Sequence, residues 1–377
     1  MDSDVIVAGG GPGGAMAALA LAETGLRVLL LERAVFPRHK PCGGCLSPKV
    51  LSLGVDFREV VEDVATESVF TAPGEAPIRY RSTTPLAYMV QRERFDHLLL
   101  NQAEERGARA LYGHRVLQAE EVSGGVEVVS DRGTFRASFL IGADGACGAV
   151  VRSFRRPPSR IALAMDARVS PSERVREAWR GLVLIDFGSV PFGYAWVFPK
   201  GHELATGVLG AKEKVRGLPG YLERFLDRQF PWGGPRRVTG WPIPYPAWTL
   251  NPLGGSRVLL VGDAAGFVDP FTGEGIYYAM RSGLLAAAAI AEGETKVTER
   301  YRRLIRTEFQ REFRAAAVLA QMIHRAPELS FRTLRRHPEA LKAFATVLTG
   351  ESGYPAFLRR VVRGCLHLCW GKLKPAA

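Results

Sequence analysis

The 377-residue chain is short of acidic residues: 38 Asp+Glu stand against 50 Lys+Arg, giving a formal net charge of +12 and a pI near 9.7. That imbalance calls for an anionic partner, which can be nucleic acid, a membrane surface or an anionic cofactor. Cysteine is scarce as well, and five cysteines in a chain of this length do not make a disulfide scaffold. No apolar run approaches the ~18 residues that span a bilayer. The longest candidate, residues 15–31, is broken by Glu23, Thr24 and Arg27. The opening Met1-Asp2-Ser3-Asp4 carries no basic n-region, which speaks against a cleaved signal peptide. Cytoplasm is the default compartment, and a monomer is expected. What is present, 47% hydrophobic and 23% charged residues, suits a folded protein of two or three domains.

Local pattern divides the chain. Residues 4–8 form a β-branched strand, residues 15–24 an Ala/Leu-rich helix closed by Gly25, and residues 26–31 a second buried strand. This is a βαβ unit at the start of the chain. Further on, 92–106 reads as a helix, 126–129 and 135–141 as strands, and 153–160 as a linker. Strands dominate from 161 to about 210, and a Pro/Trp-rich stretch at 231–252 ends that region. Residues 257–261 form another buried strand, and the chain is mostly helical from Ile276. The fold class expected is α/β: a Rossmann-like cofactor domain interleaved with an antiparallel-sheet domain, plus a helical C-terminal region. The expected boundaries are 1–55, 89–155 and 253–295 for the first, 56–88 and 156–252 for the second, and 296–377 for the third.

Gly9-Gly10-Gly11-Pro12-Gly13-Gly14 fits G-x-G-x-x-G at positions 9, 11 and 14, after a strand and at the start of a helix. Gly9 permits the tight turn, Gly11 the approach of a pyrophosphate, and Gly14 close packing of helix on strand. Pro12 and Gly13 complete the loop, whose helix N-terminus supplies N–H donors to phosphate. Glu32, at the end of the next strand and followed by Arg33, can bond a ribose diol. The loop alone does not separate NAD from FAD.

Later motifs do. The string Gly142-Ala143-Asp144-Gly145 follows a strand, and Gly262-Asp263-Ala264 follows another; both resemble signatures of the flavoprotein hydroxylase fold. Arg92-x-x-Phe95-Asp96 matches a third element of that group. Two further segments narrow the resemblance. Lys40-Pro41-Cys42-Gly43-Gly44 matches K-P-C-G-G, and residues 191–199, PFGYAWVFP, match P-x-x-Y-x-W-x-F-P at every fixed position. With Asp269-Pro270-Phe271-Thr272-Gly273-Glu274-Gly275-Ile276, residues 1–290 resemble the geranylgeranyl reductase family. The resemblance implies FAD as cofactor and reduction of C=C bonds in a prenyl chain or related lipid. No second strand–GxGxxG–helix occurs, so a separate NAD(P)H domain is not indicated, and the electron donor, NAD(P)H or ferredoxin, stays open.

An isolated alkene is a poor hydride acceptor, so the chemistry calls for a proton donor and a dry channel. Tyr194, Trp196 and Phe198 alternate on one strand face and can line such a channel; the plainer reading is an aromatic core stripe. The resemblance places Cys42 near the flavin, as proton donor or pocket contact. With Cys45 it forms a C-x-x-C, which raises a redox disulfide; Cys45 is also a candidate substrate contact. Gly43, Gly44, Gly273, Gly275 and Ile276 are candidate flavin contacts, Asp144, Asp263 and Arg92 follow from the shared motifs, and Val116 is placed against the adenine by analogy. No metal site is expected.

Residues 291–377 hold 17 Lys+Arg and 8 Asp+Glu, most of the net charge, and residues 357–373 mix apolar and basic positions at near-helical spacing. This segment is either an ordinary packed helix or a peripheral contact with anionic headgroups. Cys365-x-His367-x-Cys369 lies within it, with His367 off the face shared by the cysteines. Three functions compete: a prenyl reductase, an FAD-dependent monooxygenase or halogenase on a small aromatic or polyketide substrate, and a quinone-linked flavoprotein. The halogenase W-x-W-x-I-P motif is absent, and no four-cysteine cluster occurs. No nucleic-acid motif is present, and a hydrophobic or lipid substrate is expected.

Overall fold

The computed structural model describes residues 1–154, 161–231, 236–244 and 250–371, with the backbone alone for Arg236 and residues 364–371. The chain opens as β1 (Val5–Ala8), α1 (Pro12–Ala22) and β2 (Val28–Glu32). Pro12 starts α1 at the position where its missing N–H costs nothing. Gly25, at φ +82°, occupies the left-handed region just past its end. Three short strands follow around the first crossing into the second layer: β3 (Cys45–Leu46), β4 (Val61–Ala65) and β5 (Glu67–Thr71). Next come β6 (Ile78–Arg81), β7 (Ala87–Val90), α2 (Arg92–Glu105) and β8 (Arg109–Tyr112). A meander of β9 (Val116–Val122), β10 (Gly125–Ser130) and β11 (Gly133–Ala137) leads to β12 (Phe139–Gly142) and α3 (Ala149–Phe154).

The second layer is β13 (Ile161–Val169), α4 (Glu173–Trp179), β14 (Leu182–Phe187), β15 (Gly193–Lys200) and β16 (Glu203–Ala211). It closes with α5 (Leu218–Gln229) and β17 (Arg236–Pro244), after which β18 (Val258–Leu260) returns to the first. Six helices close the described residues: α6 (Ile276–Ala291), α7 (Val297–Glu308), α8 (Gln310–Arg325), α9 (Pro327–Arg336), α10 (Glu339–Thr349) and α11 (Tyr354–Gly371).

Strands β18-β12-β1-β2-β8 form one parallel sheet. Its inner strands are apolar except for Glu32 at the end of β2 and are buried on both faces, as helix-covered parallel strands must be. Gly283 on α6 lies where a Cβ would run into the Gly13 carbonyl, so α1 and α6 touch at backbone distance. A second sheet runs β17-β13-β16-β15-β14-β5-β6, antiparallel except for the parallel pair β14–β5. Two three-stranded sheets, β11-β10-β9 and β3-β7-β4, complete the fold.

Two expectations need correction. The strand at 135–141 is two strands: β11 pairs with β10, and after Ser138 the chain turns into β12 beside β1. The Pro/Trp-rich stretch does not end the sheet region, because β17 within it pairs along the whole of β13. Pro242 and Pro244 are tolerated there because β17 is an edge strand.

Candidate active site

The glycine loop works as its spacing implies. Gly9 sits at φ +106°, and a Cβ there would lie 2.5 Å from the Ala143 carbonyl. A Cβ on Gly14 would strike the Gly9 backbone, so Gly14 serves packing and does not line the cavity. A Cβ on Gly11 would meet nothing closer than Arg38 Nη2, at 3.9 Å, and the α1 N-terminus has no side-chain cap. The donors of that first turn therefore face open space. Arg38, which the sequence reading missed, borders the same space. Its Nη2 donates to Asp96 Oδ2 at 2.9 Å, while Nη1 is buried without a partner. Buried unpaired donors beside an open helix N-terminus fit a pyrophosphate.

Glu32 is 5% exposed and accepts from Gly10 N (2.7 Å) and Ala34 N (2.8 Å), which fixes its carboxylate and leaves lone pairs for a diol. Arg33 and Val116 border the same end. Asp144 caps α3 through Val150 N at 2.8 Å; its other oxygen is buried and unpaired, and burial pushes the carboxyl up to about 6. Arg92 forms a bidentate pair with the fully buried Asp96, at 2.7 and 2.8 Å. Asp96 thus ties Arg38 and Arg92 to one carboxylate. Asp263 faces Lys40 and Arg92, and burial raises it nonetheless. Lys40 lies 3.2 Å over the Trp241 ring, and burial, with Arg92 close by, pushes it down to about 7.

The loop at Cys42–Cys45 is clamped from the second sheet by residues no motif announced. Arg168 donates to the Cys42 carbonyl at 3.0 Å and is itself held by Asp166 and Glu203. Lys200, 1% exposed, donates to the Val90 carbonyl at 2.7 Å, and burial pushes it down to about 8. A Cβ on Gly44, at φ +60°, would strike both Val90 O and the Lys200 amine, and one on Gly43 would lie 2.9 Å from the Phe198 ring. Cys42 and Cys45 are free thiols. Burial, followed by the Glu274 carboxylate, pushes Cys45 up to about 12, so its thiol keeps its proton.

Across from this loop, Tyr194, Trp196 and Phe198 stand on one face of β15, with ring centroids 5.9 and 6.2 Å apart. Ala195 and Val197, on the other face, belong to a separate core under α5. The three rings border the cavity. The Tyr194 hydroxyl donates to the Thr272 carbonyl at 2.5 Å, and a Cβ on Gly273 would lie 2.8 Å from that oxygen. The Trp196 Nε1 is buried and unpaired. Gly275 and Ile276 open α6 without a side-chain cap and border the cavity. Glu274 is ion-paired to Lys49 at 3.1 Å and accepts from Ser47, anchoring this loop.

The glycine loop, the Cys42–Cys45 loop, the aromatic strip and the start of α6 border one cavity of about 1150 Å³, above the ~300–1,000 Å³ usual for one ligand. It runs from the glycine loop past the aromatic strip to Ile323, Phe331 and Phe344 on α8, α9 and α10. The motif-free C-terminal region therefore supplies its far wall. On α11, Phe357 and Val361 also border the cavity, while Arg359, Arg360 and Arg363 are exposed. The Cys365–Cys369 side chains lie outside the described residues; among the described residues no metal-binding cluster occurs.

Together the fold and the phosphate-facing loop define an FAD-dependent oxidoreductase, and residues 2–170 match the FAD binding domain family. The chain belongs to the geranylgeranyl reductase family. It is 33% identical over 318 residues to the digeranylgeranylglycerophospholipid reductase of Methanosphaerula palustris, covering 77% of this chain and 76% of that one. The menaquinone reductase of Mycolicibacterium smegmatis is 30% identical, with 85% and 84% covered. Among solved structures, a geranylgeranyl bacteriochlorophyll reductase-like protein of Thermoplasma acidophilum superposes with a TM-score of 0.78 at 23% identity, covering 96% and 98%. The flavin-dependent brominase Bmp2, with a TM-score of 0.74 at 19% identity, shares the fold.

Proposed function

We propose that the protein saturates C=C bonds of a prenyl chain carried by a lipid or isoprenoid. The observation behind this reading is the single continuous cavity, which joins the glycine loop to an aromatic strip and then to an apolar helical chamber. FAD, when bound, supplies the hydride chemistry. The chain's own residues divide the remaining tasks. Gly11, Gly13, Arg38 and the start of α1 hold the phosphates, with Glu32 and Arg33 at the ribose. Val116 and Asp144 border the adenine end, and Asp263 and Arg92 the middle of the cofactor. Gly43, Gly44, Gly273, Gly275 and Ile276 present backbone to the flavin edge.

Trp196 and Phe198 hold the alkene against that edge and keep water away. A proton must reach the alkene from a group that still carries one. Cys42 and Cys45 flank the glycine pair opposite the rings; Cys42 is the candidate donor, because burial pushes Cys45 up to about 12 and makes its thiol a reluctant acid. Tyr194, whose hydroxyl is committed to Thr272, positions the loop at Gly273 and closes the aromatic strip. The hydrophobic chain lies in the chamber between β15 and the C-terminal helices.

The test is direct. Dithionite-reduced holoprotein, incubated with geranylgeranyl lipids, should give products heavier by two hydrogens per bond. A panel without any such gain overturns the reading. Repeating the assay with NAD(P)H and with reduced ferredoxin in place of dithionite identifies the donor.

A further inference from the structure

Helix α9 has two dissimilar faces. Leu329, Ser330, Thr333, Leu334 and His337 border the cavity. Arg332, Arg335 and Arg336 are exposed on the outside. Leu329 borders the cavity and is nevertheless 67% exposed, and Met322 on α8 is 37% exposed and also borders it. Those two side chains mark a place where the apolar chamber reaches solvent. Such an opening would be a poor design for a chain that met only water.

Ion pairs tie α9 to the β5–β6 turn beside this opening. Glu75, on the turn between β5 and β6, accepts from Arg332 Nε at 2.7 Å and from Arg335 Nη2 at 2.8 Å, and Arg335 also donates to the Ala76 carbonyl at 2.9 Å. Inside this latch, Phe331 of α9 packs with Ile78 of β6 in one buried cluster. Arg325 lies exposed at the end of α8, and Glu328 is the one acid on the first turn of α9. The cations here outnumber the acids that face them.

We propose that α9 and the adjoining end of α8 dock on an anionic bilayer surface, which draws Arg332 and Arg335 away from Glu75 and opens the chamber to a membrane lipid. The inference rests on the reading of the cavity as a lipid chamber. Both arginines are exposed whereas the Glu75 side chain is only 11% exposed, so salt screens the pairs from the arginine side and a charged surface within a Debye length competes with Glu75 for those cations. Leu329 and Met322 would then enter the headgroup layer beside the arginines. The candidate contact on α11 is less suited as an entrance: among its described side chains Phe357 and Val361 border the cavity without being exposed, while the exposed Arg359, Arg360, Val362 and Arg363 do not border it.

The experiment is co-sedimentation of full-length holoprotein with phosphatidylcholine vesicles, with and without phosphatidylglycerol. Binding should need the anionic lipid and fall as salt rises. Arg332→Gln with Arg335→Gln should weaken it at least fivefold, whereas the charge-keeping Lys pair should bind within twofold of wild type. Glu75→Gln, which frees both arginines, should bind more tightly. Arg359→Gln, Arg360→Gln and Arg363→Gln together should change binding less than twofold. Unchanged binding in the α9 double variant, weaker binding in Glu75→Gln, or complete displacement by millimolar pyrophosphate at fixed ionic strength would each overturn the proposal. Turnover of detergent-dispersed prenyl lipid tests the catalytic reading separately, since vesicle binding does not depend on it.

Discussion

The cofactor half of the cavity and its helical half are built by different rules. The first is made largely of backbone: glycines whose missing Cβ atoms leave room, an uncapped helix N-terminus, and charged side chains fixed by partners such as Asp96. The second is made of apolar side chains on helices, where one residue of suitable volume replaces another with small loss. Backbone recognition tolerates almost no change, so it leaves strict spacing in the sequence. An apolar wall leaves only amphipathic periodicity, which every packed helix shares.

Substitutions can break that contrast. The largest effect is expected from Gly14→Ala, whose Cβ would strike the Gly9 backbone. The protein should lose bound FAD more than tenfold and purify colourless, as flavin absorbance per protein will show. Next is Asp96→Ala, which strands the buried Arg92 and the partly buried Arg38. Breaking a buried pair costs about 3–5 kcal/mol, readable as a fall in denaturant midpoint. Trp196→Ala in the aromatic strip should destabilise by about 3–5 kcal/mol, as large buried aromatics do, and should cut turnover of prenyl substrate far more than it cuts FAD content. Phe344→Ala, on the helical side, should leave FAD content unchanged and shift the preferred chain length, measured by competing prenyl lipids of different lengths.

A further effect concerns pH. Lys40 titrates near 7 in the folded protein, against ~10.4 when unfolded. Between those values the unfolded chain binds the extra proton, so this residue makes stability rise with pH from about 7 to about 10. Across that window the melting temperature of FAD-free protein should rise less with pH in Lys40→Met than in wild type. An identical pH dependence in the variant would show that Lys40 is not buried in its charged surroundings as described.

Much of the cofactor side was legible in advance. The βαβ start, the glycine loop, Glu32, and the motifs at Arg92, Asp144, Asp263 and residues 191–199 all reach the cavity or its frame. Alternation alone placed Tyr194, Trp196 and Phe198 on one face, though it could not tell a lined cavity from a core stripe. Arg38, Arg168 and Lys200 were not legible, since each acts on a loop distant in sequence and no local pattern distinguishes them from surface cations. The prolines of β17 concealed an edge strand for the same reason: pairing with β13 is a long-range fact.

By itself the sequence determined the parts whose physics is local. Turns that only glycine can make, a helix start that faces phosphate, and buried parallel strands depend on neighbours a few residues away. Tertiary structure alone decided that one cavity passes from the cofactor loop to the C-terminal helices. It also decided that Arg168 and Lys200 clamp the Cys42 loop, and that the basic excess of the last 87 residues includes the arginines paired with Glu75 at the cavity rim. The reason is physical: burial, charge pairing and access are set by what lies across space, and those neighbours come from segments far apart along the chain.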